Sequence, residues 1–363
     1  MIPVQPQAEG NPEVIKLFEQ ALTMAREGRL ICAALVAVEN KGSALRAMAG
    51  VPGKELEVFF GLERLKDHIK GQIAEYEQRP QQTRDSADFV CWSLRDQPFS
   101  YDFLCALIAA EMARVREGAP APLKFCFHGA PMRPTDYSSM FYNNVMVPLL
   151  PMIGAQIDPR ALNGRTLGGH NIDAIVAASR RGETVPRLQC DPHALNNAKQ
   201  NYGNAVTITL REAEHWPHRN SNLTEWLKLA EAIEHSGERV VFVRDTAKAA
   251  EPIAGFETHP IAATNLEARL ALYEAAKCNL FTPTGPYGLA LFGSRPWICF
   301  QHSAEDDLYE PNRPSWWKKY YGMSPGQQWP WSLSSQRLVW AKDDFPTMIA
   351  AWSDLHESLK LVA

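Results

Sequence analysis

Apolar and polar positions alternate over residues 205–210, where Val206, Ile208 and Leu210 are set among threonines. Strict alternation predicts a strand. The strand runs into Arg211 and a polar loop, 211–221, which carries His215, His218, Arg219, Asn220 and Ser221. Apolar positions then return at helical spacing: Trp226, Leu227, Leu229, Ala230 and Ile233. Asn222 with Glu225 three residues later reads as an N-cap and its reciprocal partner, and Gly237 as the stop. A second apolar run, 240–243, ends on Arg244 and Asp245. Strand, helix and strand within 205–246 form a crossover unit, which implies a parallel sheet. Its first loop leaves the carboxyl end of a strand, the edge where open α/β sheets bind ligands.

The same reading orders the rest of the chain. A helix over 12–27, strands over 30–38 and 44–49, and a helix over 54–78 make a small α+β module, residues 1–80. A polar stretch with a proline, 79–87, is the linker that follows. A strand over 88–94 ends on Arg95 and Asp96. An amphipathic helix spans 101–116, and the next strand ends at His128 and Gly129, giving a second crossover unit. A helix with irregular flanks is predicted over 136–153. Residues 158–170 form a polar loop with Arg160, Arg165, a Gly168-Gly169 pair and His170, before a helix over 172–180. Residues 186–204 are a connection whose QNYGN segment reads as a hinge. Beyond Asp245 come a short strand at 253–256, a helix at 265–276 and a buried strand at 278–281. That strand meets Thr284, Gly285 and Pro286, a turn with backbone N–H groups suited to an anion. Residues 301–331 are irregular and aromatic, able either to stack on a sugar or base or to plug a hydrophobic seam. A helix over 345–359 closes the chain. The expected fold class is α/β. Two Rossmann-like lobes, 87–203 and 204–363, follow the N-terminal module, with ligand in a cleft between them.

Composition narrows the partners. A net charge of −4 supplies no basic field for nucleic acid. The seven cysteines have no CxxC pair, so they read as buried thiols of a reducing compartment. The N-terminus has no basic region followed by an apolar run, and no apolar stretch approaches the roughly 20 residues that span a bilayer. The expected location is the cytoplasm.

The run TGPYGLALFGSRPWI, following a short apolar strand, resembles the donor-site element of GT-B glycosyltransferases, in particular the heptosyltransferase-like group. In that group a strand, a small-residue glycine turn and a short helix hold the phosphates of a sugar nucleotide. This chain keeps Thr284, Gly285 and Pro286 and has Gly288 in the region of the group's following histidine. The segments ITLRE, RNSNL and VVFVRDT are also similar to segments of two-lobed bacterial proteins, fucosyltransferase-like ones among them, where an arginine at a strand end approaches the donor phosphates. The resemblance covers residues 200–300, and 88–200 more loosely. It implies a GT-B-like fold, a nucleotide-sugar donor, and a glycan or other acceptor.

Glycosyl transfer needs a base for the acceptor hydroxyl and positive charge for the departing diphosphate. The candidate bases are Asp96, His128 and His170. Arg211, Arg219, Ser221, Thr284, Gly285 and Pro286 are the candidates to hold the donor, with Asp245 placed for a ribose hydroxyl. No DxD metal signature is present, so neither metal nor cofactor is expected. A nucleotide-sugar epimerase or phosphorylase would use the same cleft, and a non-catalytic binding protein could retain only the fold. No G-x-G-x-x-G follows a strand, which argues against a dehydrogenase.

Overall fold

In a computed structural model the chain is described over residues 33–38, 44–49, 87–129, 136–169 and 171–361. The helices expected at 12–27 and 54–78, and His170, lie outside the described residues. The described residues divide into two compact units. One draws on 1–97, 125–134 and 158–166; the other on 98–124, 135–157 and 167–363.

Strands β1 (Ala33–Val38) and β2 (Ala44–Ala49) pair antiparallel, with Val38 opposite Ala44. Strands β3 (Phe89–Ser93), β4 (Lys124–His128), β5 (Gln156–Ile157) and β6 (Arg165–Leu167) follow; β4, β3 and β6 lie side by side in that order. Part of the segment read as a polar loop is thus a strand. Gly164 permits it, because a Cβ there would lie 2.3 Å from the Phe89 carbonyl oxygen. Helices α1 (Asp102–Arg116), α2 (Asp136–Phe141), α3 (Val147–Met152) and α4 (Ile172–Arg180) belong to the second unit. Between α2 and α3 the chain makes a π-helical turn, Tyr142–Met146, closed by the Val147 N–H donating to the Tyr142 carbonyl five residues back. Pro148 explains the widening. It has no N–H for the Asn144 carbonyl, and its ring crowds that oxygen.

Helix α5 (Pro192–Tyr202) replaces the expected hinge: Asp191 caps it through the His193 and Ala194 amides, and Pro192 begins it. Then come β7 (Ala205–Thr209), α6 (Leu223–His235), β8 (Arg239–Val243), β9 (Glu257–Thr258), α7 (Pro260–Thr264), α8 (Leu266–Ala275), β10 (Cys278–Phe281), α9 (Tyr287–Leu291), β11 (Trp297–Phe300), α10 (Pro314–Tyr321), β12 (Gln336–Val339) and α11 (Phe345–Lys360). The strand expected at 253–256 is a single antiparallel bridge, and β9 lies just beyond it. All six strands are parallel, in the order β12-β11-β10-β7-β8-β9. Numbered within the lobe this is 3-2-1-4-5-6, the Rossmann order. The chain is α/β, as expected, and its six-stranded parallel sheet is Rossmann-like.

Burial accounts for the central strand. Every residue of β7 is buried, so its threonines need internal partners. Thr207 donates to Asn279 at 2.6 Å, and Thr209 shares a hydrogen bond with the Tyr273 hydroxyl at 2.8 Å. Trp226, Leu229, Ala230 and Ile233 of α6 pack with Val206, Ile208, Val240, Phe242 and Trp352 in the core. The cap of α6 is not the reciprocal pair expected. Asp343, distant in sequence, accepts from the Asn222 N–H and the Trp226 indole at 2.8 Å each, while Glu225 accepts from the Phe345 N–H at 2.9 Å. The aromatics after Gln301 fill a seam. Trp317, Trp329 and Trp331 are buried, and the latter two donate to the Tyr287 hydroxyl and the Leu291 carbonyl of α9. No helix among the described residues is long and apolar enough to cross a membrane.

Candidate functional site at the carboxyl edge of the parallel sheet

The register sets the site. Thr209 pairs with Val243 on one side and Phe281 on the other, so β7, β8 and β10 end level. The chain order reverses between β7 and β10, and the loops that leave them part there. A cleft of about 730 Å³ opens at this point, lined by Leu210, Arg211 and Arg219 from the first loop and by Thr284, Gly285 and Pro286 from the second. Arg244 and Asp245 follow β8, Arg269 comes from α8, and Tyr101 and Asn144 stand before α1 and on the π turn. All of these belong to the second compact unit. The volume suits a ligand of nucleotide size.

The two arginines of the first loop differ. Arg211 is 4% exposed. Its guanidinium donates to the Trp216 carbonyl at 3.0 Å, the His215 carbonyl at 2.8 Å and the Asn220 side-chain oxygen. None of these acceptors carries charge. Burial pulls its pKa down and the nearby Arg219 guanidinium pulls it further. Arg219 is half-buried, with its guanidinium 4.1 Å from the Tyr309 ring centre. Its side chain makes no hydrogen bond or ion pair among the described residues. Two cations that repel, one with free donors, form a place that an anion would relieve.

The second loop adds backbone donors. The Thr284 and Gly285 amides donate no hydrogen bond among the described residues, and Pro286 has none to give. The Tyr287, Gly288 and Leu289 amides are taken by Thr284, Gly285 and Pro286 carbonyls at 3.0–3.1 Å. Gly285 is required by the close approach of Tyr101: a Cβ would lie 2.2 Å from its ring.

Other residues named from the sequence are placed differently. Ser221 does not line the cleft. It accepts from the Arg211 N–H and shares a hydrogen bond with Thr282, both at 2.9 Å, and so ties the two loops together. Asp245 lines the cleft but accepts from the Thr246 and Glu212 amides at 2.8 and 3.2 Å. Asp96 and His128 belong to the first compact unit, where Ser93 donates to Asp96 at 2.6 Å.

Sequence reading passed over three contributors. Arg244, 7% exposed, is paired with Glu212 and also reaches Glu251. Burial, the largest influence, would raise the Glu212 carboxyl; the hydrogen bonds and charge of Arg244, the charge of Lys248 and a backbone hydrogen bond together outweigh it and hold it below its ordinary value. Arg269, 4% exposed, donates to the Ala262 and Ala263 carbonyls at 2.5 and 3.0 Å. Asn144 stands on the π turn and lines the cleft. Nothing in the sequence beyond Pro148 signals that turn.

No family model matches the chain, and no curated protein does. Among solved structures it is similar to the ADP-heptose LPS heptosyltransferase II of E. coli, at 10% identity and a TM-score of 0.40, over 73% of this chain and 98% of that one. It is also similar to the UDP-GlcNAc 2-epimerase of Methanocaldococcus jannaschii, solved with UDP-GlcNAc and UDP, at 14% identity and a TM-score of 0.30, over 68% and 66%. The site is therefore read from its own geometry.

Proposed function

We propose that the protein is a nucleotide-sugar enzyme, a glycosyltransferase that holds its donor's diphosphate with protein groups alone. One observation carries this reading. Arg219, whose guanidinium makes no hydrogen bond among the described residues, and the Thr284 and Gly285 amides, likewise without an acceptor among them, line one cleft at the switch point of a Rossmann-ordered sheet. A diphosphate oxygen needs such donors, and a site that presents them in advance stabilises the charge that grows as the diphosphate leaves.

In the proposed reaction the sugar C1–O bond to the diphosphate breaks and C1 bonds to the acceptor oxygen. The acceptor's proton passes to a base, and the diphosphate departs with the electron pair toward Arg219. Arg211 acts beneath this by fixing the loop. Asp245 holds the same loop through the Glu212 amide and still presents its edge to the cleft.

Thermal shift with UDP-, GDP-, ADP- and CMP-sugars tests the binding half. A ligand at 100 times its Kd adds about 2.7 kcal/mol of stability, a readily measured shift. Stabilisation by at least one donor is the expected result. Product formation that requires an added acceptor identifies a transferase; turnover of the donor alone identifies an epimerase or hydrolase instead. No shift with any nucleotide would falsify the proposal.

A further inference from the structure

Next in the chain to His215, which lines the cleft, stands an aromatic residue that the proposed chemistry leaves unused. Trp216 is 54% exposed, and its indole N–H donates no hydrogen bond among the described residues. Its backbone is left-handed, φ 55°, although it is bulky and precedes a proline, two reasons for such a residue to avoid that region. Among the described residues only Asn171 shares a positive φ without being glycine, and asparagine tolerates it. The strain is held by named contacts: the Trp216 carbonyl accepts from the Arg211 guanidinium and the Arg219 N–H, each at 3.0 Å. Strain maintained by surrounding structure clusters at ligand clamps.

The strained turn presents a ring face. Trp216 lies 5.7 Å from His218 and 5.9 Å from Tyr309, tilted 50° to the latter, and Tyr309 carries the Arg219 guanidinium on its face. Trp216 and that guanidinium are thus no more than about 10 Å apart, since Tyr309 lies between them at 5.9 and 4.1 Å. A flat group and an anion joined by a short polar link fit this spacing.

We infer that Trp216, supported by His218 and Tyr309, is the stacking platform for the nucleobase of a nucleoside diphosphate whose phosphates lie on Arg219. This rests on the nucleotide reading above and adds the base subsite. Stacking uses the π face that every base has, so the platform tolerates several bases.

The test compares calorimetric affinities for UDP, ADP, GDP and inorganic pyrophosphate. Trp216→Ala is expected to weaken the nucleoside diphosphates by about 5- to 150-fold and to leave pyrophosphate unchanged. Retained pyrophosphate binding also shows that the variant is folded. Trp216→Phe keeps a ring and recovers most of the loss, whereas Arg219→Ala weakens all four ligands. If Trp216→Ala binds nucleotides as the wild type does, or loses pyrophosphate equally, the platform is wrong while the nucleotide reading stands. If the wild type binds none of the four, the nucleotide reading fails and the platform falls with it.

Discussion

Arg211 and Arg219 share a loop and a charge, yet their removal should have different consequences. Truncating Arg211 leaves the His215 carbonyl and the Asn220 side-chain oxygen without a donor among the described residues, while the Trp216 carbonyl keeps only the Arg219 N–H. Hydrogen bonds from a charged donor are worth about 1.5–3 kcal/mol each, so Arg211→Ala should lose about 3 kcal/mol and lower the melting temperature. Arg219→Ala gives up one cation–π contact, worth about 1 kcal/mol or less at a half-exposed site. It should melt like the wild type and bind a nucleoside diphosphate roughly thirtyfold more weakly, the loss of about 2 kcal/mol from a charged hydrogen bond. Paired melting curves and titrations separate the two roles. Equal melting losses would show Arg219 to be structural. Glu212 offers a pH test nearby. Its carboxyl is depressed in the fold, so its contribution is present above the unfolded value of about 4.3 and is lost as pH falls through the lower folded value. Glu212→Gln should cost about 3 kcal/mol at pH 7 by leaving Arg244 only the more distant and exposed Glu251 as a charged partner. The gap to wild type should narrow once the pH falls below about 4.3 and close below the lower folded value. A gap that stays constant with pH would mean that the carboxylate's charge is not what Arg244 needs.

At the scale of elements, the loop–helix turn after β10 is fixed by what packs on it. Gly285→Ala would drive a methyl into the Tyr101 ring, so the turn or the start of α1 must shift. A loss of about 2 kcal/mol is expected, partly restored when Tyr101→Ala is added, since residues in contact are not additive. Strict additivity in that double-mutant cycle would contradict the contact. The sequence made this turn visible through Thr284, Gly285 and Pro286, and it made β7, α6 and β8 visible through their periodicity. The reason Gly285 is glycine was hidden, because Tyr101 is far away in the chain. The same limit explains the cap of α6: Asn222 and Glu225 have the right local spacing, but Asp343 and Phe345 reach them first from α11's end of the chain. Helix α5 was missed for a different reason. Its signal, Asp191 followed by Pro192, is local, but the polar QNYGN segment reads as a hinge. Its alanines pack on α8 through a small cluster with little apolar weight. The π turn was the least legible element, since a proline within a helical pattern predicts a kink or an end rather than a widened turn.

At the scale of the whole molecule, a net charge of −4 gives a diphosphate no long-range attraction. Fields from exposed charges fade within about 8 Å at physiological salt, so recognition has to come from groups at the cleft wall. Two arrangements could supply the charge, guanidinium and amide donors or a divalent cation on acidic residues. The wall carries Asp102, Glu214 and Asp245. Ser100 donates to Asp102 at 2.7 Å, and both Asp245 oxygens accept backbone amides. No group of three or more candidate ligands for a metal occurs among the described residues. Arg219 and the Thr284 and Gly285 amides, by contrast, have donors to spare. Nucleoside diphosphate affinity should therefore be the same in EDTA as in excess magnesium. Magnesium should weaken it slightly if anything, by competing for the same phosphate oxygens. Raised salt should weaken binding in wild type more than in Arg219→Ala, because the guanidinium contact is the screened one. A tenfold tightening by magnesium would place an ion between protein and phosphate, and the donors at this sheet edge would no longer account for the binding.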